Sequence, residues 1–400
     1  MEKQKEDTGF QVKKLYDFFP YEKEFDAVIT DIHPVDEDVS LITLDRTLFF
    51  PMEGGQSSDT GTISGCEVTH VEIDGSLIIH TVKCKDGVFK KGSRVHGMID
   101  WERRFSNMQN HTGEHILSGI LHEKWQSENT GFHLSDNIVT VDTSKELTKD
   151  EIRELEYAAN LAVYSNIPIT CRYYEPSELE GITYRSKKQF DEPVRIVSIP
   201  GIDICACCAP HVKNTGEVGI IKIIDAIRHR GGMRFTILCG KRAFIYLSRL
   251  QDISDELTGM LSAKGEALIP AVNRLIDENR ELVIKMKNAE ADNLRDRIRE
   301  LDPDVSNAIL FTGMIDNVVQ RNAVNDLSSR HAGICAVFSS DGDGGYNYIC
   351  SWREGDARKI ASFLKEKHAA RGGGSELMVQ GNIKASEEEI KGSLKELAKE

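Results

Sequence analysis

The stretch His111-Thr112-Gly113-Glu114-His115 sets two imidazoles four residues apart, and on an α-helix residues at that spacing share a face. Two histidines on one face are half of a metal site. Far downstream, Cys207-Cys208-Ala209-Pro210-His211 holds a thiol and an imidazole at the same spacing. Four N and S donors of this kind suit Zn²⁺ in tetrahedral coordination.

Outward from the first stretch, Ile116, Leu117 and Ile120 supply an apolar helical face, so a helix is expected over Arg104 to His122. Asn110 and Thr112 read as groups that cap or orient its start. Glu114 is the carboxylate nearest the two histidines and a candidate general base. It lies three residues after His111 and one before His115, so a surface or supporting place is its other reading. Around the second stretch, Val194 to Ile199 reads as a strand, Pro200-Gly201 punctuates it, and Val218 to Ile224 reads as another strand. A loop between two rigid strands presents ligands well.

Before these motifs the pattern is one of short strands: Phe25 to Ile32, Val39 to Asp45, Gly61 to Ile73, Ser76 to Val82 and Ser93 to Ile99. Turn signals at Asp74-Gly75 and Asp86-Gly87 separate several of them. This predicts a small β-barrel. Between strands lies Glu53-Gly54-Gly55-Gln56, where the glycine pair is either a tight turn needing permissive backbone angles or a point where backbone N–H groups approach a ligand. After the first helix come Thr130-Gly131-Phe132-His133-Leu134, a strand at Ile138 to Asp142, and, with Thr148 as N-cap, a helix over Glu151 to Ser165. Helices on an antiparallel sheet give an α+β core.

These motifs in this order, with Glu53-Gly54-Gly55-Gln56-Ser57-Ser58-Asp59-Thr60-Gly61 upstream, resemble the editing domain of alanyl-tRNA synthetases and its free-standing relatives, which hydrolyse tRNA(Ala) wrongly charged with serine or glycine. The resemblance covers roughly residues 25 to 245 and extends, by a further match, to the C-terminus. It implies a zinc site on His111, His115, Cys207 and His211. It implies substrate contacts from Gly54, Gly55 and Gln56 and from the Gly131 to His133 segment, His133 having a structural hydrogen bond as its other reading. The family usually has Cys-Gly-Gly-Thr-His where this chain has Cys207-Cys208-Ala209-Pro210-His211. Cys205 and Cys208 are therefore competing thiols, although only Cys207 keeps the expected spacing.

Composition sets the outer bounds. Four hundred residues exceed a comfortable single core, and no apolar run approaches the length of a bilayer span. The charged opening Met1 to Asp7 lacks the apolar stretch of a secretory signal, and nine cysteines without a regular framework read as reduced thiols, so a cytoplasmic protein with no membrane partner is expected. A net charge of −14 argues against indiscriminate nucleic-acid binding, since phosphate contacts need Lys and Arg. Local basic groups do occur, at Arg103-Arg104, Lys187-Lys188, Arg228-His229-Arg230 and Lys241-Arg242. Near the N-terminus, Phe18-Phe19-Pro20-Tyr21 forms a small aromatic patch.

Residues 243 to 300 are helix-rich, with a break at Gly265 and Pro270. Leu268, Leu275, Leu282 and Ala289 recur every seven, with Val272, Asn279 and Met286 in the alternate register. This pattern serves either an intramolecular helix pair or a homodimer through the helical and C-terminal region. In the last part, Ala308 to Thr312, Ile334 to Ser339 and Tyr346 to Ser351 are strand-like and Ala357 to His368 is an amphipathic helix, which reads as a small α/β domain. Arg371-Gly372-Gly373-Gly374, followed by Gln380-Gly381, resembles the DHH-associated domain of alanyl-tRNA synthetases. That resemblance implies tRNA binding at Gly372, Gly373 and Gly374; composition alone reads them as a flexible loop.

The expected fold is α+β: an N-terminal small β-barrel (1–100), an α+β zinc-binding editing domain (101–245), a helical, coiled-coil-like linker (246–303) and a C-terminal small α/β domain (304–400). The expected activity is zinc-dependent deacylation of mischarged tRNA(Ala), approached through its acceptor end. No stretch resembles the sequences that activate an amino acid with ATP, so action on tRNA released by a synthetase is expected. A structural zinc in a non-catalytic tRNA-binding protein is the alternative.

Overall fold

The computed structural model describes residues 13–85, 87–186 and 192–399. Asp86 of the Asp86-Gly87 turn signal, the Lys187-Lys188 pair and the Met1 to Asp7 opening lie outside the described residues. The chain is a mixed α+β protein in two compact units, Met1–Ile253 and Ser254–Glu400.

The first described residues, Lys13 and Lys14, pair in parallel with Arg46 and Thr47, and a helical turn, Leu15–Phe18, follows. Strands β1 (Glu24–Asp36), β2 (Val39–Leu44), β3 (Gly61–Ile63), β4 (Cys66–Asp74), β5 (Leu77–Lys83) and β6 (Arg94–Ile99) follow, and close into a barrel in the order β1-β2-β5-β4-β3-β6. Alternation along β1 turns Phe25, Ala27 and Ile29 inward onto Ile42, Leu44, Phe49, Phe50, Val71 and Val82. The stretch expected as one strand from Gly61 to Ile73 is two. Ser64 and Gly65 both hold positive φ, at 48° and 86°, and turn the chain back on itself.

Helix α1 (Trp101–Trp125) begins three residues before the expected start, because the Asp100 carboxylate caps it by accepting from the Arg103 N–H at 3.1 Å. Asn110 and Thr112 therefore lie mid-helix and cap nothing. Almost every side chain from Asn107 to Gly119 is buried, so the helix runs through the unit rather than over it. Two glycines permit this: a Cβ on Gly113 would stand 2.3 Å from Cys239 Sγ, and one on Gly119 2.3 Å from the Ile202 carbonyl oxygen. At its root Arg104 is fully buried. Its guanidinium donates to Asp59 and to the carbonyl oxygens of Leu48 and Pro20, tying helix to barrel.

Strands β7 (Asn129–Leu134) and β8 (Val139–Thr143) follow α1, and helix α2 (Lys149–Tyr164) follows with Thr148 as the N-cap expected, its hydroxyl and the Glu151 carboxylate forming a reciprocal capping box. Then come β9 (Thr170–Tyr174), β10 (Val194–Ile199), β11 (Asp203–Ala206), β12 (Ile221–His229) and β13 (Gly232–Cys239). They form two antiparallel sheets, β12-β13-β8-β7 and β9-β10-β11. The strand expected from Val218 starts at Ile221, since Thr215–Val218 is a 3₁₀ turn and Gly219 takes φ 80°. Ile116, Leu117, Leu121, Leu155, Val141 and Phe235 fill the core between helices and sheet.

Helix α3 (Gly240–Leu261) continues the chain, and α4 (Leu268–Glu300) carries Pro270 in its first turn, where a missing N–H costs nothing. In the second unit strands β14 (Ala308–Thr312), β15 (Ile334–Ser340), β16 (Tyr346–Trp352), β17 (Arg371–Gly374) and β18 (Met378–Ile383) form one sheet in the order β14-β15-β16-β18-β17. Only its first pair is parallel, so the sheet is mixed rather than a parallel α/β one. Helices α5 (Asn317–Arg330), α6 (Ala357–His368) and α7 (Glu387–Leu397) bury Val324, Ile360 and Leu394. Gly372, Gly373 and Gly374 are the exposed edge strand rather than a loop. A Cβ at Gly372 would stand 2.6 Å from the Tyr348 hydroxyl, so this glycine lets the edge strand lie directly over a buried tyrosine.

Candidate metal centre

Helix α1 brings His111 and His115 onto one face, and the segment after β11 brings Cys207 and His211 against them. The four ligand atoms lie within 4.8 Å of one another. The Cys207 Sγ is 3.5 Å from His111 Nε2 and 3.4 Å from His211 Nε2. All three imidazoles are almost wholly buried. Among the thiols, Cys207 is the one grouped with the three histidines. Cys205 lies with His115 and Asp203, and Cys208 packs its Sγ 3.4 Å from where a Gly54 Cβ would be.

The orientation of each ring is set from outside. His111 Nδ1 donates to Gln56 Oε1 at 2.7 Å, His211 Nδ1 meets Thr112 Oγ1 at 3.0 Å, and His115 Nδ1 donates to Asp203 Oδ2 at 2.8 Å. With every Nδ1 so engaged, all three Nε2 lone pairs are left for a common point beside the sulfur. Asp203 is in turn held by a two-pronged Arg185, Nε to Oδ1 at 2.7 Å and an Nη to Oδ2 at 2.8 Å. Burial pushes the Asp203 carboxyl up, but the bonds from His115 and Arg185 outweigh it and hold the group below its ordinary range, as a carboxylate.

Burial holds the His111 and His211 imidazoles well below their usual range, helped by charge on neighbouring histidines and on Arg195. Burial likewise pushes the Cys207 thiol well up. The site thus holds His111 and His211 as neutral rings and a sulfur whose proton is costly to remove without a cation. A divalent metal supplies the missing charge. Donor types, number and outer bonding fit zinc.

Arg195 fixes the sulfur-bearing segment. Its Nη1 donates to the carbonyl oxygens of Cys207 at 2.9 Å and Ala209 at 2.8 Å, while Ala209 packs into the barrel core. The centre opens on a cavity of about 960 Å³ whose walls include Glu53, Gly54, Glu114, Phe132, Tyr173, Tyr184, Arg185 and Arg195.

The remaining expected residues fall in different places. Glu114 is on the cavity wall, buried, with its Oε1 accepting from Asn129 Nδ2 at 2.6 Å and from the Ser118 hydroxyl. Gly54 and Gly55 form a tight turn, φ 61° and 83°, closed by the paired Glu53 and Gln56 backbones. Gly54 reaches the cavity, and Gly55 lies where a Cβ would meet the Phe132 carbonyl oxygen at 2.3 Å. Gln56 is buried behind His111. In strand β7 neighbours face opposite sides, and Phe132 faces the centre, its ring centroid 4.7 Å from that of His111. His133 is exposed and pairs with Thr140, and Gly131 packs against Asp142. Asp203, Arg185, Arg195 and Phe132 were not singled out in the sequence.

Most of the basic pairs are committed within the chain. Arg103 bonds Ser58 O and Ser57 Oγ, Arg228 pairs with Glu146, Lys241 with Glu102, and Arg242 bonds Ser106, Asn107 and Ser135.

Comparison with known proteins agrees with this geometry. The family model described as "Threonyl and Alanyl tRNA synthetase second additional domain" matches residues 194–235, which carry Cys207 and His211. That of "tRNA synthetases class II (A)" matches residues 4–103, the barrel region. The alanyl-tRNA editing protein AlaX-L of Pyrococcus horikoshii is 28% identical over 95% of this chain and 96% of its own length. The chain is a relative of the alanyl-tRNA editing proteins. Alanine–tRNA ligases are also similar: that of Methanoregula boonei is 32% identical over 92% of this chain, and that of Pyrococcus furiosus 31% over 98%. The chain spans 41% and 46% of those two ligases, less than half of each. With the editing proteins the match runs end to end, so the kinship takes in the barrel, the metal centre and the second unit alike. Among the described residues no helix is long and apolar enough to cross a membrane.

Proposed function

We propose that the chain is a zinc-dependent aminoacyl-tRNA deacylase that removes serine, glycine or both from mischarged tRNA(Ala). The observation that carries this is the convergence of His111, His115, Cys207 and His211 beside a cavity large enough for an acylated ribose. The names of the similar proteins support it. An alanine pocket separates glycine from alanine by only about 1–3 kcal/mol and excludes an added hydroxyl poorly, so a second, hydrolytic selection is needed.

When bound, zinc supplies Lewis acidity toward the ester or an anchor for its amino group. Asp203 and Gln56 hold His115 and His111 in register, Arg195 holds the Cys207 segment, and Phe132 walls the acyl group from water. The Gly54 backbone lies along the cavity, where its N–H can approach the acyl group. Glu114 takes the proton of the attacking water. Its Oε1 is already committed to Asn129 and Ser118, which leaves Oε2 for that proton. The second unit, with Gly372, Gly373 and Gly374, binds the tRNA body, and the apolar positions of α4, among them Leu275 and Leu282 at 50% and 62% exposure, pair two copies as a homodimer. The four parts at 1–100, 101–245, 246–303 and 304–400 belong to this proposal, with the reaction in the cytoplasm.

The test is to offer the purified protein Ser-tRNA(Ala), Gly-tRNA(Ala) and correctly charged Ala-tRNA(Ala), and to measure release of each amino acid. Release from the first or second with the third spared is expected; equal destruction of all three defeats a proofreading role. Four protein donors also close a tetrahedral zinc, the usual mark of a structural site. On that second reading no ester is cleaved, and chelation unfolds the first unit.

A further inference from the structure

We infer that the rings of Phe18 and Tyr173 form a stacking shelf for unpaired nucleobases of the RNA end whose ester enters the cavity. This rests on the proposed function. The two rings lie 6.3 Å apart at 32°, and both face solvent, Phe18 at 61% and Tyr173 at 43% exposure. What sets this pair apart from other exposed rings is its place: Tyr173 also lines the cavity that holds the metal donors. One end of the shelf is thus the mouth of the site.

The shelf is built onto the metal centre. Tyr173 donates its hydroxyl to Asp17 Oδ2 at 2.8 Å, and Asp17 Oδ1 faces Arg195 Nε at 3.8 Å. Arg195 in turn grips the carbonyls of Cys207 and Ala209. A ring linked through two side chains, Asp17 and Arg195, to the ligand-bearing segment is placed relative to the reacting ester. Bases stack on such a surface whatever their identity, because each offers a π-face, and the unpaired end of a tRNA offers several in a row.

Charge around the mouth is mixed, with Glu53 on the wall near Asp17 and two lysines close by in the chain. The wall contributed by the end of α1 and the turn after it carries the carboxylates of Glu123 and Glu128, which repel phosphate. Lys13 and Lys14 immediately precede the helical turn of Phe18; burial raises the Asp17 carboxyl, and Arg195, the Tyr173 hydrogen bond and then Lys14 oppose that rise in part. A strand of RNA passing over Phe18 keeps its phosphates by the lysines and away from Glu123 and Glu128.

Uncharged RNA tests this without any hydrolysis. A fluorescent acceptor-stem hairpin with a natural single-stranded 3′ tail is titrated against the full chain, beside the same hairpin with abasic tail residues. The natural tail binds about tenfold tighter to the wild-type chain, the size of one lost stacking partner. Phe18→Ala and Tyr173→Ala each remove most of that ratio, and Phe18→Trp restores it. Equal binding of the two tails by the wild type, or a wild-type ratio in both alanine variants, overturns the shelf. The deacylation assay stands apart. Hydrolysis with no tail preference sinks the shelf alone, whereas a tail preference with no hydrolysis sinks the enzyme and leaves the shelf.

Discussion

His111 and Asp203 stand for two kinds of contribution to one site, and substitution separates them. His111→Ala removes a donor, and it is expected to abolish deacylation while far-UV circular dichroism shows the fold retained. Asp203→Asn leaves all four donors but loosens the His115 ring, and the expected result is a 10- to 100-fold loss of metal affinity, read by cobalt(II) titration. A third residue reports on acid stability. His80 is fully buried in the barrel between Thr47 Oγ1 and the Ile42 carbonyl, and burial pushes its pKa down to about 4. In the unfolded chain that ring takes a proton near its ordinary value of 6.5, whereas the folded ring stays neutral until about 4. Stability is therefore complete above pH 6.5, declines by about 3 kcal/mol as pH falls to 4, and is affected no further below. Urea midpoints of the wild type and His80→Gln across this range are expected to differ in slope by that amount.

At the scale of elements, what was legible depended on whether the signal was local. The N-cap at Thr148, the helix at Ala357 to His368 and the strand at Val194 to Ile199 were all read from their own residues. The start of α1 was missed because its cap, Asp100, directly follows a strand and carries no apolar periodicity of its own. The four donors were readable because their spacing is a local property of a helix and of one short segment. Phe132 was not: facing in or out along β7 is decided by pairing with β8, which the sequence does not print, and a titratable His133 drew attention one position away. Asp203 and Arg195 act through tertiary contacts and left no pattern at all. The close fit of α1 makes its own prediction. In Gly119→Ala the new methyl collides with the Ile202 carbonyl, beside the residue that steers His115. A loss of about 1–3 kcal/mol in chemical denaturation is expected, together with weaker cobalt binding.

For the whole molecule, the proposed function assigns a separate task to the unit on each side of Ile253. A chain ending after Leu261 is expected to fold and to bind cobalt with wild-type affinity, because every donor and every residue orienting one lies in the first unit. Its affinity for tRNA is expected to fall, as gel-shift titration would show. The first unit itself does not divide further. Arg104 and Asp59 are both fully buried across the join between helix and barrel, and removing one partner of such a pair costs about 3–5 kcal/mol. A fragment beginning at Trp101 would carry every imidazole and sulfur of the centre, yet it would lose Gln56, which orients His111, and every barrel partner of Arg104. Whatever rearrangements this lineage undergoes, its first hundred residues and its metal cage must travel as a single heritable piece.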